Sequence, residues 1–170
     1  MTRDSQRQKL YDAERDVAEF EKMHRLESMF EIEAYVRCVT RDAWFVRHYG
    51  EHTIQVRDGR GHRRATGNYL LGRITMPTWS RSKMITLHEL VHACVRCPRD
   101  EGAHGRNFAR AYLAVVGHFL GREVGAKLKV AMAAHGVRWK AKRAGTSRGN
   151  PEALARWRQA QAAAAAPQAG

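Results

Sequence analysis

Apolar residues recur at helical spacing through most of this chain and alternate with polar ones only over short stretches, a pattern that predicts helices around a small sheet. Over residues 4–24, Leu10, Tyr11, Ala13, Val17 and Phe20 fall on one stripe, and residues 32–39 predict a second, shorter helix that would carry the Cys38 thiol into the core beside Tyr35, Val36 and Val39. Ile54-Gln55-Val56-Arg57 alternates as a strand does, Asp58-Gly59 signals a turn, and residues 62–71 are expected to return antiparallel to it. Residues 72–77 make another short strand. The hydroxyls between Thr78 and Ser82 can then cap a helix that starts near Lys83 and stops at Pro98. Phe108, Tyr112, Val115, Val116 and Phe119 mark a helix ending at Gly121, and residues 122–135 another closed by Gly136. Past Arg138 the apolar content drops into a Gly/Ser/Arg linker and an Ala-rich end. The expected organisation is an α+β domain over residues 1–140, its helices flanking a small, mostly antiparallel sheet, followed by a basic, partly disordered tail over 141–170.

The helix from Lys83 carries the strongest chemical signal. His88-Glu89-Leu90-Val91-His92 sets two imidazoles four residues apart, about 40° from each other on one face, so both can reach a single ion. Leu87, Leu90, Val91 and Cys94 fall on the opposite side and give the helix an apolar back. Glu89 stands about 100° around from His88, a position suited to taking a proton from a metal-activated water rather than to ligation. The preceding strand strengthens this, because a strand leading into a metal helix is the local layout of zinc peptidases, where an edge strand pairs with extended substrate. Catalytic zinc takes three protein ligands, so one more must follow. Val95 and Pro98 occupy the places where a closely spaced glycine and histidine would fall. His104, at the mouth of the next helix, is the favoured third ligand, with Glu101, Asp100 and Glu123 as carboxylate alternatives. His48, His52, His62, His118 and His135 lack motif spacing and read as ordinary surface or loop histidines; one of them, or Tyr112, Arg106 or Arg110, is left to stabilise an oxyanion, and the sequence does not choose among them.

His-Glu-Leu-Val-His followed by His104-Gly105 and then Phe108 resembles the SprT-like zinc metallopeptidases, in which the third histidine heads such a motif; this likeness runs from Ile74 to about Gly121. A wider resemblance, over about residues 2–140, is to a family of HExxH-motif metallopeptidases of actinobacteria and their phages. It rests on Arg3-Asp4-Ser5-Gln6-Arg7, Tyr11-Asp12-Ala13-Glu14, the metal motif, His104-Gly105 and Ala134-His135-Gly136-Val137. The chain departs from SprT-like proteins in lacking a second Cys-x-x-Cys after the catalytic region, so no zinc ribbon is expected. The resemblances imply a zincin-like fold, Zn2+ on His88, His92 and His104, Glu89 as general base, and a protein or peptide substrate. Two other readings stand beside this one: a zinc-containing nucleic-acid-binding protein without turnover, and a zinc hydrolase of amides or esters outside proteins.

Charge bears on partners. The net charge is +13, yet residues 1–34 hold nine acids against six Lys/Arg while the remainder holds eight against twenty-four. The excess gathers over residues 57–83 and 138–158, and surfaces of that kind attract phosphate backbones. Arg138, Lys140, Lys142 and Arg143 are the named candidates for nucleic-acid contact; acidic protein substrates are the other explanation. Cys94 and Cys97 read as core thiols on the helix's apolar back, since neither a redox nor a knuckle context surrounds them. Three cysteines form no disulfide framework, the charged first residues carry no secretory signal, and no apolar run reaches the roughly 20 residues of a membrane span; a cytoplasmic protein is expected.

Overall fold

Six helices and three short strands make up the computed structural model, which describes residues 4–17, 24–98 and 101–140. Helix α1 (Arg7–Arg15) begins only after Gln6, so Asp4 precedes the helix rather than lying within it as the stripe predicted. The reason is Gln6 itself: its buried side chain donates to the His104 carbonyl and accepts from the Arg138 N–H, which pins the chain before the first turn. Leu10, Ala13 and Val17 are buried as expected, whereas Phe20 lies outside the described residues. Helix α2 (Met29–Arg41) opens with a capping box between Ser28 and Glu31 and buries Ile32, Val36 and Val39. Cys38, about 200° around from Val36, is exposed, which corrects its expected place in the core. A short α3 (Ala43–Tyr49) follows at once, started by the Asp42 carboxylate accepting from the Trp44 and Phe45 N–H groups.

The sheet differs most from expectation. Strands β1 (Gln55–Asp58), β2 (Thr66–Asn68) and β3 (Arg73–Met76) lie in the order β1-β3-β2, with β1 parallel and β2 antiparallel to β3, so the sheet is mixed and the expected hairpin between β1 and β2 does not form. Ile74 stands opposite Val56 on one side and Gly67 on the other. Two causes are visible. Ile74 and Met76 are fully buried, so the most apolar strand takes the centre. Asp58 accepts from the Arg60 N–H and from Arg81 Nη2 at 2.8 Å, which ties the end of β1 to the segment after β3 instead of turning it back. The strand over residues 72–77 is therefore internal, and β2 is the edge beside the helix that carries His88 and His92.

Helix α4 (Lys83–Cys94) is started by Ser82, whose hydroxyl accepts from the Ile85 N–H, and it packs on the sheet, α2 and α5. Leu87, Leu90 and Val91 are fully buried, each contributing ~1.5–3 kcal/mol. The helix ends at Val95, in extended backbone, before reaching Pro98. Cys97 has thus left the helix, yet it lies half-buried against the core near the Ala103 carbonyl, while Cys94 is buried on the helix's apolar back. Helices α5 (Arg106–Phe119) and α6 (Arg122–Ala134) cross at glycines: a Cβ on Gly125 would stand 2.8 Å from Gly117 Cα. α1 packs on α6, and Leu10, Ile32, Phe45, Ile74, Leu87, Phe108 and Leu128 belong to one core. Among the described residues no helix is long and apolar enough to cross a membrane. The 141–170 segment, with Lys142 and Arg143, lies outside the described residues.

Candidate metal centre

His88 and His92 project one turn apart from α4, and His104 comes from the turn that enters α5. That turn is set by Glu101, whose carboxylate accepts from the Asn107 N–H at 3.0 Å and so satisfies a donor of the first turn of α5. Glu101 is therefore a cap. Glu123 stands exposed on α6 and pairs with Lys127 at 2.9 Å, and Asp100 lies outside the described residues. His104 is left as the group facing the pair, and the three histidines lie close enough together to hold a metal ion.

Their Nε2 atoms are 3.1 Å (His88 to His104), 3.2 Å (His88 to His92) and 3.0 Å (His92 to His104) apart. Tetrahedral zinc with nitrogen at 2.0–2.1 Å needs edges of about 3.3–3.4 Å, within a few tenths of an ångström of this triangle. The outer nitrogens explain why the rings face inward. His88 Nδ1–H donates to Glu14 Oε1 at 2.6 Å, and His104 Nδ1–H donates to Asp4 Oδ2 at 2.6 Å. Each carboxylate assigns the tautomer in which Nε2 carries a lone pair, and two lone pairs cannot bond to each other, so the arrangement suits a cation. Phe108 stacks on His92 at 4.1 Å between centroids, and Tyr112, fully buried, lies against His88 at 5.2 Å. Those contacts fix the ring planes.

Burial keeps the His92 and His104 imidazoles neutral, the form that ligates. His92 is held far below the ordinary value, at about 2, by burial first and then by His88 and His104. His104 is lowered as well, chiefly by burial and then by His88, with Asp4 opposing. The consequence for metal-free protein has a definite sign. Above the ordinary imidazole value of 6.5 both folded and unfolded chains are neutral here; below it the unfolded chain takes up protons that the folded chain refuses. Its melting temperature is therefore expected to fall as pH is lowered from about 7 to about 5. A flat or rising Tm over that window in calorimetry would contradict the assignment.

Glu89 is 6% exposed and turns to the cleft beside His88. Its carboxyl is raised above the ordinary glutamate value by burial, with Glu14 adding to the shift and His88 and the Gly67 N–H opposing it. Gly67 is required by proximity: a Cβ there would stand 2.0 Å from the Glu89 carbonyl oxygen and 2.7 Å from His92 Cβ. Only a glycine lets β2 lie this close to α4. The cleft has a volume of about 490 Å³ and is lined by Tyr11 and Glu14 of α1, by Arg63 to Ala65 ahead of β2, by Trp79, and by Ile85, His88 and Glu89 of α4.

The other expected residues fall elsewhere. Arg106 and Arg110 do not line this cleft; they donate to the Lys140 carbonyl and to Asn107. His48 and His52 bond to the carbonyls of Trp44 and Tyr49, His118 pairs with Asp42, His135 pairs with Asp16, and His62 is exposed. Arg138 gives both its N–H and its guanidinium to Gln6, and with Lys140 it lines a separate hollow beside Trp139. Asp4, Gln6, Tyr11, Glu14 and Gly67 were not singled out from the sequence as parts of the site; the signal for all but Gly67 was their place in the two N-terminal segments of the wider resemblance.

Asp4 and Glu14 carry a prediction. Asp4→Asn and Glu14→Gln are each expected to weaken zinc binding by about 10–100-fold without loss of helix content, since a neutral amide orients and polarises the imidazole less well. Chelator competition checks this, and parental affinity in both variants would show that the carboxylates do not support the ligands. Compared with protein-family models, with curated proteins and with solved structures, the chain finds no match.

Proposed function

We propose that this chain is a mononuclear zinc peptidase of zincin-like fold. The observation that carries the reading is the inward-facing triangle of His88, His92 and His104 Nε2 atoms with the Glu89 carboxylate next to it on an open cleft. Among the described residues no fourth ligand group joins the three histidines, and such a set is the donor set of catalytic rather than structural zinc. Zinc held there supplies Lewis acidity to a water molecule and to a substrate carbonyl.

The chain's own residues do the rest. Glu89, its affinity for protons raised by burial, accepts the proton of the attacking water and returns it to the leaving amine. Tyr11 packs its ring on His88 and His104, at 5.7 and 5.4 Å between centroids, and lines the same cleft. Burial, then Glu89 and Glu14, keep its phenol protonated, so its O–H can donate to the carbonyl oxygen as negative charge develops. Strand β2 has a strand partner on one side only among the described residues, and it lies against α4; an extended peptide added to its outer edge passes the metal face. Asp4 and Glu14 hold His104 and His88 at their outer nitrogens throughout.

Mass spectrometry of a peptide library incubated with zinc-loaded protein tests the reading. Cleavage that a chelator abolishes and added zinc restores is the expected result. Esters or non-peptide amides hydrolysed while every peptide stays intact would move the reaction out of protein substrates.

A further inference from the structure

We infer that the cleft selects polypeptides with acidic side chains beside the scissile bond. This rests on the peptidase reading and names its substrate class. The observation is the charge of the lining. Arg7 and Arg15 on α1 and Arg63 and Arg64 in the segment entering β2 all line the cleft that contains Glu89 and His88. The α1 contribution is one helical face, in which Arg7, Tyr11, Glu14 and Arg15 follow at offsets of four, seven and eight. The second pair reaches the cleft from elsewhere in the chain, so two segments far apart in sequence bring cations to one opening.

Little inside the cleft answers those charges. Of the carboxylates that line it, Glu14 holds His88 and Glu89 is the proposed base. Arg15 pairs with Asp12, whereas Arg7, Arg63 and Arg64, all exposed, form no ion pair among the described residues. Unanswered guanidiniums around a concave site favour an anionic ligand and offer planar, two-pronged recognition of carboxylates.

Phosphate is the other anion that arginines take, and the arrangement favours the carboxylate of a peptide. Nucleic acid binds along a track that neutralises several successive phosphates. Here the arginines surround one cleft, and Arg63 and Arg64 stand immediately before the edge strand along which an extended main chain can pair. A peptide on β2 thus carries its side chains past the arginines while its backbone meets Glu89.

The test uses three quenched fluorescent peptides of one core sequence, flanked by Glu, Gln or Lys, with full-length zinc-loaded protein, Arg63→Glu/Arg64→Glu and Arg63→Gln/Arg64→Gln. Zinc content and melting temperature of each variant are measured alongside. The expected kcat/KM order is Glu over Gln over Lys, with about tenfold or more between the extremes at low salt, shrinking as salt is added. The glutamine variant should flatten that order and the glutamate variant should invert it. Equal kcat/KM for the three peptides, or an order unchanged in folded variants, overturns the proposal while leaving the peptidase reading intact. If no peptide is cleaved, fluorescence anisotropy of the same peptides on Glu89→Gln separates the two claims: tighter binding of the Glu peptide upholds the selectivity and equal binding overturns it. An oligonucleotide that displaces the Glu peptide at physiological salt, and loses binding in Arg63→Glu/Arg64→Glu, assigns the cleft to nucleic acid instead.

Discussion

Replacing Glu89 by glutamine is expected to leave zinc and fold in place while lowering kcat by about 10²–10⁴-fold, the usual contribution of a positioned general base. The change is nearly isosteric and removes the carboxylate proposed to take the water proton. Zinc should remain because Glu89 is not among the three converging atoms, which belong to His88, His92 and His104. Folding should be little affected, since the amide oxygen still accepts from the Gly67 N–H that faces the carboxylate. Steady-state kinetics on any cleaved peptide, with zinc content and circular dichroism measured on the same sample, checks all three points. Parental kcat in a fully loaded variant would remove Glu89 from the chemistry.

His104→Ala is expected to cost the site its metal. Zinc binding that is worth ~10–16 kcal/mol over four ligands falls by a few kcal/mol for each one removed, so affinity should drop on the order of a hundredfold or more. The loss should exceed that of Asp4→Asn, which only releases the outer nitrogen of the same ring. Helix α5 should persist, because its first turn is capped by Glu101 and its core side chains Phe108, Tyr112, Val115 and Val116 are untouched. Elemental analysis after dialysis reads the outcome. A variant that keeps one zinc per chain would mean that another donor completes the set.

The parts of this site that are legible in sequence are those encoded locally. Helical periodicity puts His88 and His92 on one face and Leu87, Leu90 and Val91 on the other, and both statements need only residues within two turns. His104 is legible as the histidine heading the next amphipathic helix, while its rivals Glu101 and Glu123 are told apart from it only by a cap and a surface ion pair seen in three dimensions. The supporting carboxylates are separated from their histidines by 74 and 100 residues, and no local pattern distinguishes an aspartate that will orient an imidazole from one that will face water. Strand order fails for a similar reason. Asp58-Gly59 carries a hairpin signal, but the Asp58 carboxylate is claimed by Arg60 and by Arg81, the latter 23 residues on. Helix α3 was missed because it is short; Asp42 as its N-cap was the available sign. Gly67 gives no signal until β2 is seen against α4.

The central claim is that three histidines hold one zinc ion and leave a position open for reacting groups. X-ray absorption at the zinc edge of the full-length protein tests it most directly. The predicted spectrum has three imidazole nitrogens and a lighter oxygen donor at about 2.0–2.1 Å, and it loses imidazole scattering in His104→Ala. A sulfur shell at about 2.3 Å, which would bring in Cys94 or Cys97, or a spectrum unchanged in His104→Ala, would contradict it.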